Sequence, residues 1–191
     1  MRPVPAELKS RRLVLRRWRE ADDTAFSAMN ADPEVRRYYP DLRTERQSIA
    51  EARAHDAQFE QDGFGLWALE RPGEASFIGY AGVRRIIRAM PFEPRIETGW
   101  RLARAHWGRG YATEAARTAL ADFFARSDFG AVVSFTAATN LPSQRVMQRL
   151  GMTRDPREDF EHPALPLGHP LSRHVLYRLD RAAFDAKRNA A

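Results

Sequence analysis

Apolar and polar positions along this chain follow two rhythms, and each change of rhythm marks an element. Ile96, Thr98, Trp100 and Leu102 alternate with Glu97, Gly99, Arg101 and Ala103, the period-2 pattern of a strand. Downstream, Ala112, Ala115, Ala116, Ala119, Leu120, Phe123 and Phe124 take the i, i+3, i+4 spacing of an amphipathic helix. A second such switch follows: 131–137 reads as a buried strand, and Val146, Met147 and Leu150 fall at helical spacing before a Gly151 stop. The remaining pattern predicts a strand over 12–18 and helices near 20–30 and 45–62, broken apart by Asp32-Pro33. It predicts a hairpin of 66–70 with 77–83 turning on Pro72-Gly73, strands at 95–103, near 152–158 and at 173–179, and helices at 110–126, at 141–150 and beyond Asp180. Residues 156–170 form a proline-broken connection. A hairpin first and strand–helix alternation later imply a mixed α/β (α+β) fold with both senses of strand pairing. No repeat or low-complexity linker divides the 191 residues, so one domain over 1–191 is expected.

Between the first strand and its helix lies Trp107-Gly108-Arg109-Gly110-Tyr111-Ala112-Thr113. Two glycines let backbone approach a ligand closely. The free N–H groups of a first helical turn then face an anion, with the helix dipole behind them. Two phosphate fingerprints are excluded. Lysine stands only at positions 9 and 187, so there is no G-x-x-x-x-G-K-[ST], and Thr113 follows Ala112 where G-x-G-x-x-G would need glycine. In the second switch, Asn140 suits an N-cap, Pro142 a first turn and Gly151 a C-terminal stop; Asn140 and Ser143 read equally as caps.

Together, E-x-G-W…W-G-R-G-Y-A-T-E-A and N-x-x-S-x-x-V-M-x-x-L-G-M resemble the GNAT acetyltransferases, and within them the RimJ/RimL-type branch that includes ribosomal-protein N-terminal acetyltransferases. In the superfamily motif (Q/R)-x-x-G-x-(G/A), Trp107 takes the first place, Gly110 the fourth and Ala112 the sixth; Trp107 departs from the usual Gln/Arg. The likeness extends to Arg12-Leu13-Val14-Leu15-Arg16-Arg17-Trp18 and to Arg173-His174-Val175-Leu176-Tyr177-Arg178-Leu179, so that it covers roughly 11–180. It implies a central, mixed, mostly antiparallel sheet flanked by helices, with two signature strands diverging at the cofactor.

Composition narrows the chemistry. The sequence has no cysteine, which removes disulfides, Cys-ligated zinc and any acetyl-cysteine intermediate. The formal net charge is +6, but arginine supplies 29 of the 31 basic residues, spread along the chain with no aromatic–basic interleave. This reads as arginine bias with a few residues serving cofactor phosphates, rather than as a nucleic-acid surface. No apolar run approaches the ~18 residues of a membrane helix, and Met1-Arg2-Pro3-Val4-Pro5 has no apolar leader core, so a cytoplasmic location is expected.

The resemblance implies acetyl transfer from acetyl-CoA to a primary amine. Glu97 is then the candidate general base and Ser143 the candidate partner of the leaving thiolate. The cofactor-binding set is Trp100, Arg101 and Leu102 through main-chain groups, Trp107 to Thr113 as the diphosphate cradle with Arg109 adding charge, and Asn140 on the pantetheine amides. Family geometry directs the acceptor to Tyr38 and Tyr39 and to the 156–172 connection; the stretch from Asp155 to Glu161, with Asp155, Glu158, Asp159 and Glu161 against Arg157 alone, reads either as a lure for a cationic amine or as a solvated acidic loop. His162, His169 and His174 fit no short metal-ligand spacing, and no metal is expected. The partners are acetyl-CoA and an amine, from a protein N-terminus or a small molecule; a homodimer stays open. The competing readings are a non-catalytic acyl-CoA-binding module and a basic RNA-associated protein.

Overall fold

A computed structural model describes residues 3–166 and 168–189. Met1 and Arg2, part of the stretch read for a leader, and Leu167 in the proline-broken connection lie outside the described residues. The strands are β1 (Glu7–Lys9), β2 (Val14–Arg16), β3 (Leu66–Arg71), β4 (Ala75–Arg85), β5 (Ile96–Leu102), β6 (Ala131–Ala137), β7 (Phe160–Glu161) and β8 (Arg173–Asp180). The helices are α1 (Asp23–Ala31), α2 (Pro33–Arg36), α3 (Glu45–Asp62), α4 (Tyr111–Arg126), α5 (Leu141–Leu150) and α6 (Arg181–Asn189). One eight-stranded sheet runs β1-β2-β3-β4-β5-β6-β8-β7. Its pairs are antiparallel except β5 with β6, which are parallel and registered only at Glu97↔Val133. The sheet therefore opens along β5 and β6 beyond that point.

Local chemistry sets the element ends. Thr44 and Gln47 form a capping box at the start of α3, and Gly63 ends it in the left-handed region at φ 75. Ser48, Ala52, His55 and Phe59, spaced i, i+4, i+7 and i+11, bury one face of that helix. In β4, a Cβ on Gly79 would sit 2.2 Å from the Arg101 carbonyl oxygen, and one on Gly82 2.2 Å from that of Gly65. Only glycine lets β4 pass between its neighbours this closely.

Helix α4 carries two apolar stripes. Tyr111, Ala115 and Ala119 pack with Leu13, Leu15, Trp67 and Leu102 under the β1–β5 half of the sheet. Ala116, Leu120, Phe123 and Phe124 pack with Val132, Met147, Val175 and Leu179 under the other half. The helix thus spans the opening in the sheet, with its first turn at the mouth.

Two expectations are corrected. The first strand is shorter than 12–18, and β1, absent from the expected elements, pairs with it at Leu8↔Leu15; three residues offer too little periodicity to be read. No strand forms at 152–158. Thr153 makes a single bridge to Arg178, and Pro156–Glu158 is a 3-10 turn that Asp155 caps by accepting the Arg157 N–H. Proline cannot donate to a ladder there, so the edge strand forms later, at β7.

Candidate active site

The strand-to-helix turn lies at the end of β5. Residues Arg104–His106 form a 3-10 turn, and Trp107 Nε1 donates to the Leu102 carbonyl at 2.8 Å, tying the loop to the strand edge. Gly108 and Gly110 adopt φ of 72 and 79, a region that favours glycine. A Cβ on Gly108 would meet nothing within 4 Å. Gly110 is the N-cap of α4 and provides no side-chain acceptor to its first turn. The Thr113 hydroxyl is buried there without a hydrogen-bond partner. Unclosed main-chain N–H groups, an open glycine surface and an orphaned hydroxyl fit a phosphate.

A cavity of about 700 Å³ joins this turn to the opening of the sheet. Trp107, Gly108, Gly110, Tyr111, Ala112 and Thr113 line one end; Gly99, Trp100, Arg101 and Leu102 face Ser134, Phe135 and Thr136 along the middle; Asn140, Pro142 and Ser143 close one side. Glu97, Arg84, Tyr80, Glu51, Arg36, Tyr38 and Tyr39 form the far end. Both candidate catalytic residues, both tyrosines and all cofactor candidates except Arg109 therefore share one space.

The geometry qualifies several of these residues. Glu97 is buried, and its Oε2 accepts from Arg84 Nε and Nη2 at 2.7 Å each. The charge of Glu97 holds the Arg84 guanidinium above the usual arginine range, against the effect of burial. Glu97 Oε1 remains on the cavity side, 3.8 Å from where a Cβ of Gly99 would be. Asn140 Oδ1 accepts the Ser143 N–H at 3.3 Å, and Nδ2 donates to Thr136 Oγ1 at 2.8 Å. Its amide thus serves the helix start first. The Tyr111 ring is buried between Arg12 and Arg71, with Arg71 Nη1 donating to its hydroxyl at 2.5 Å, so the backbone of Tyr111 faces the cavity.

Two expectations fail. Arg109 is outside the cavity lining, because its guanidinium pairs with Glu74 at 3.0 Å. No described residue of the 156–172 connection lines the cavity. Its acidic cluster is bound to arginine: Asp155 to Arg157, Glu158 to Arg178, and Asp159 to Arg154. The Arg101 side chain, for which no role was expected beside its main-chain groups, turns to the far end of the cavity. There Nη1 reaches Asn30 Oδ1 at 2.7 Å and Glu51 Oε1 at 3.4 Å.

Sequence reasoning missed this far-end network. His55 Nε2 approaches Glu51 Oε1 at 3.4 Å. Burial works against the Glu51 charge, but His55, Arg101 and Arg36 outweigh it and hold the carboxyl at about 2. Burial, then the like charge of Arg101, pulls the Arg36 guanidinium below the usual arginine range. Arg145 and Arg149, four residues apart on α5, also line the cavity; their i, i+4 spacing was the available signal. His162 and His174 pack against each other outside the cavity lining, their ring centroids 4.8 Å apart and their planes tilted by 42°. Among the described residues no group of three or more His, Asp or Glu side chains is placed to hold a metal ion. Nor is any helix among them long and apolar enough to cross a membrane.

Comparison with known proteins places this geometry. Residues 12–153 match the family model described as an acetyltransferase (GNAT) domain. The chain is 31% identical over 147 residues to the uncharacterized protein YkkB of Bacillus subtilis, covering 76% of this chain and 84% of YkkB. It is 26% identical over 163 residues to the uncharacterized N-acetyltransferase YnaD of the same organism, covering 85% and 89%. A crystal structure of an acetyltransferase from Agrobacterium tumefaciens superposes with a TM-score of 0.73 at 26% identity over 95% of this chain and 97% of that one. Mycobacterium smegmatis RimJ, solved with CoA-disulfide, superposes with a TM-score of 0.76 over 100% and 97%; at 17% identity it speaks for the fold alone.

Proposed function

This chain belongs to the GNAT acetyltransferase family, as an acetyl-CoA-dependent acyltransferase, and from that premise we propose that it acetylates a primary amine by direct attack within one ternary complex. The observation that carries the reading is the single cavity that joins the open first turn of α4 to Glu97 and Ser143. Acetyl-CoA supplies a thioester already activated toward amines. The chain's own residues hold, orient and move protons around it.

The N–H groups of 108–113 and the Thr113 hydroxyl would hold the diphosphate, the Trp107 N–H being given to the Arg104 carbonyl. The edge of β5 at Gly99–Leu102 would take the pantetheine arm in the manner of an added strand. Glu97 Oε1, the oxygen not given to Arg84, takes a proton from the amine, directly or through water. Nitrogen bonds to the acyl carbon as the carbon–sulfur bond breaks, and Ser143 donates a hydrogen bond to the departing thiolate. With no cysteine in the sequence, no acyl-enzyme of that kind intervenes. At pH 7 an α-amine of pKa ≈ 7.7–8.0 is roughly 10–15% neutral, whereas a lysine is about 0.04% neutral. One carboxylate already shared with an arginine therefore suits an α-amine better than a lysine.

The test is calorimetric binding of acetyl-CoA, followed by thiol release with a panel of amines and N-terminal peptides. Binding together with amine-dependent release supports the reading. Absence of acetyl-CoA binding overturns it.

A further inference from the structure

Taking the cavity as the place where an amine meets the thioester, as proposed above, its walls also select what else the acceptor carries. β4 and β5 pair so that Tyr80 stands opposite Arg101, Gly82 opposite Gly99 and Arg84 opposite Glu97. Directly opposed residues of antiparallel strands share a face. This face thus presents a tyrosine–arginine pair, then a pair without side chains, then an arginine–glutamate ion pair. A Cβ on Gly99 would meet nothing within 4 Å except Glu97 Oε1, so Gly99 floors a bay between the two ends. At the rise of a strand the Cα atoms of Glu97 and Arg101 lie about 13 Å apart, and their side chains narrow that distance.

The Arg101 end carries an unsatisfied cationic donor. Arg101 is 8% exposed and lies over the rings of Tyr39 and Tyr80, and its Nε is buried without a partner. Arg36, also buried, lies over the same Tyr39 ring at 4.7 Å. Their carboxylates are Glu51, at 3.4 Å from Arg101 and at the same distance from His55, and the half-exposed Asp41, at 3.4 Å from Arg36. A buried cationic N–H without an acceptor is costly, and structures keep such groups where something else satisfies them.

We propose that the acceptor is an amine bearing a carboxylate, with its nitrogen over Gly99 beside Glu97 and its carboxylate received by Arg101, with Arg36 behind. A small amino acid and a polypeptide start with an acidic second residue offer the same chemistry. A polyamine does not, since it would set cations against Arg36, Arg84 and Arg101.

The experiment uses the intact protein at saturating acetyl-CoA and follows thiol release with matched acceptors. One arm compares 4-aminobutanoate with butylamine, and alanine with alaninamide. The other compares the peptides Ser-Asp-Ala, Ser-Asn-Ala and Ser-Lys-Ala, blocked at the C-terminus. In at least one arm the carboxylate member is expected to exceed its matched neutral partner by about a hundredfold in kcat/KM, and the arm that responds identifies the source. Arg101→Gln is expected to raise KM for that acceptor and erase the preference, with the affinity for acetyl-CoA unchanged. Arg101→Lys, which keeps the charge, is expected to retain part of the preference and stands in if the glutamine variant does not fold. Neutral or cationic acceptors turning over as well as the carboxylate members overturn the inference while leaving acetyl transfer intact. Loss of acetyl-CoA binding and of all turnover in the wild-type protein instead brings down the reading it rests on, and this one with it.

Discussion

The helices α4 and α5 both begin at the rim of the cavity, α5 closed by its own Asn140, whose oxygen accepts the Ser143 N–H, and α4 left open on Gly110. The same backbone requirement, four N–H groups without intrahelical partners, is met from within in one case and left unmet in the other. A start that the chain closes itself serves the fold. One left open, with a buried hydroxyl beside it that bonds to nothing, is shaped for an occupant from outside.

The hardest blow to that contrast is Gly110→Asp, which adds a carboxylate to the open start and strains a residue at φ 79. Acetyl-CoA affinity should fall by about a hundredfold or more, and unchanged calorimetric binding would refute the cradle. Glu97→Gln should lower kcat by about 10²-fold, the lower end for general-base help, with binding kept; full activity from pH 6 to 9 removes Glu97 from the chemistry. Thr113→Val sharpens the contrast, because it deletes only the orphaned hydroxyl. The melting temperature of the empty protein should hold or rise, while the Kd for acetyl-CoA weakens by about 5- to 10-fold, the worth of one hydrogen bond.

Asn140→Ala tests the closed start. The expected cost is ~1 kcal/mol of stability, measured by denaturant unfolding, with little change in acetyl-CoA affinity. The smallest effect belongs to the far end. Glu51 is lowered from its usual 4.5 to about 2, so the unfolded chain binds the extra proton between those values. Stability is present above about pH 4.5 and is lost as pH falls toward 2. Glu51→Gln should flatten that part of a stability–pH curve, and an unchanged slope would show that Glu51 does not carry it.

The open start was legible because its chemistry is written in consecutive residues. Glycines at 108 and 110, between a period-2 and a period-3.6 pattern, suffice to place a strand, a turn and a helix. The hairpin, α3, β6 and α5 were readable for the same reason, each being a run of local preferences. The far end was not. Arg36, Glu51, His55, Tyr80 and Arg101 come from α2, α3, β4 and β5, and nothing in their spacing says that they meet. The expectation for Arg109 failed on a distant partner, Glu74, supplied by the hairpin turn. The acidic run at 155–161 looked free because the arginines that neutralise it include Arg178, which arrives from β8.

One parallel bridge, Glu97↔Val133, is all that registers β5 against β6, and the two stripes of α4 hold the flanking cores together beneath the gap. Whatever fills that gap while gripping the first turn of α4 acts as a keystone, touching both sides of the seam at once. By mass action such an occupant stabilises the whole structure with the logarithm of its concentration over its Kd. Backbone amides of β5 and β6 should then exchange with deuterium more slowly in the loaded protein than in the empty one.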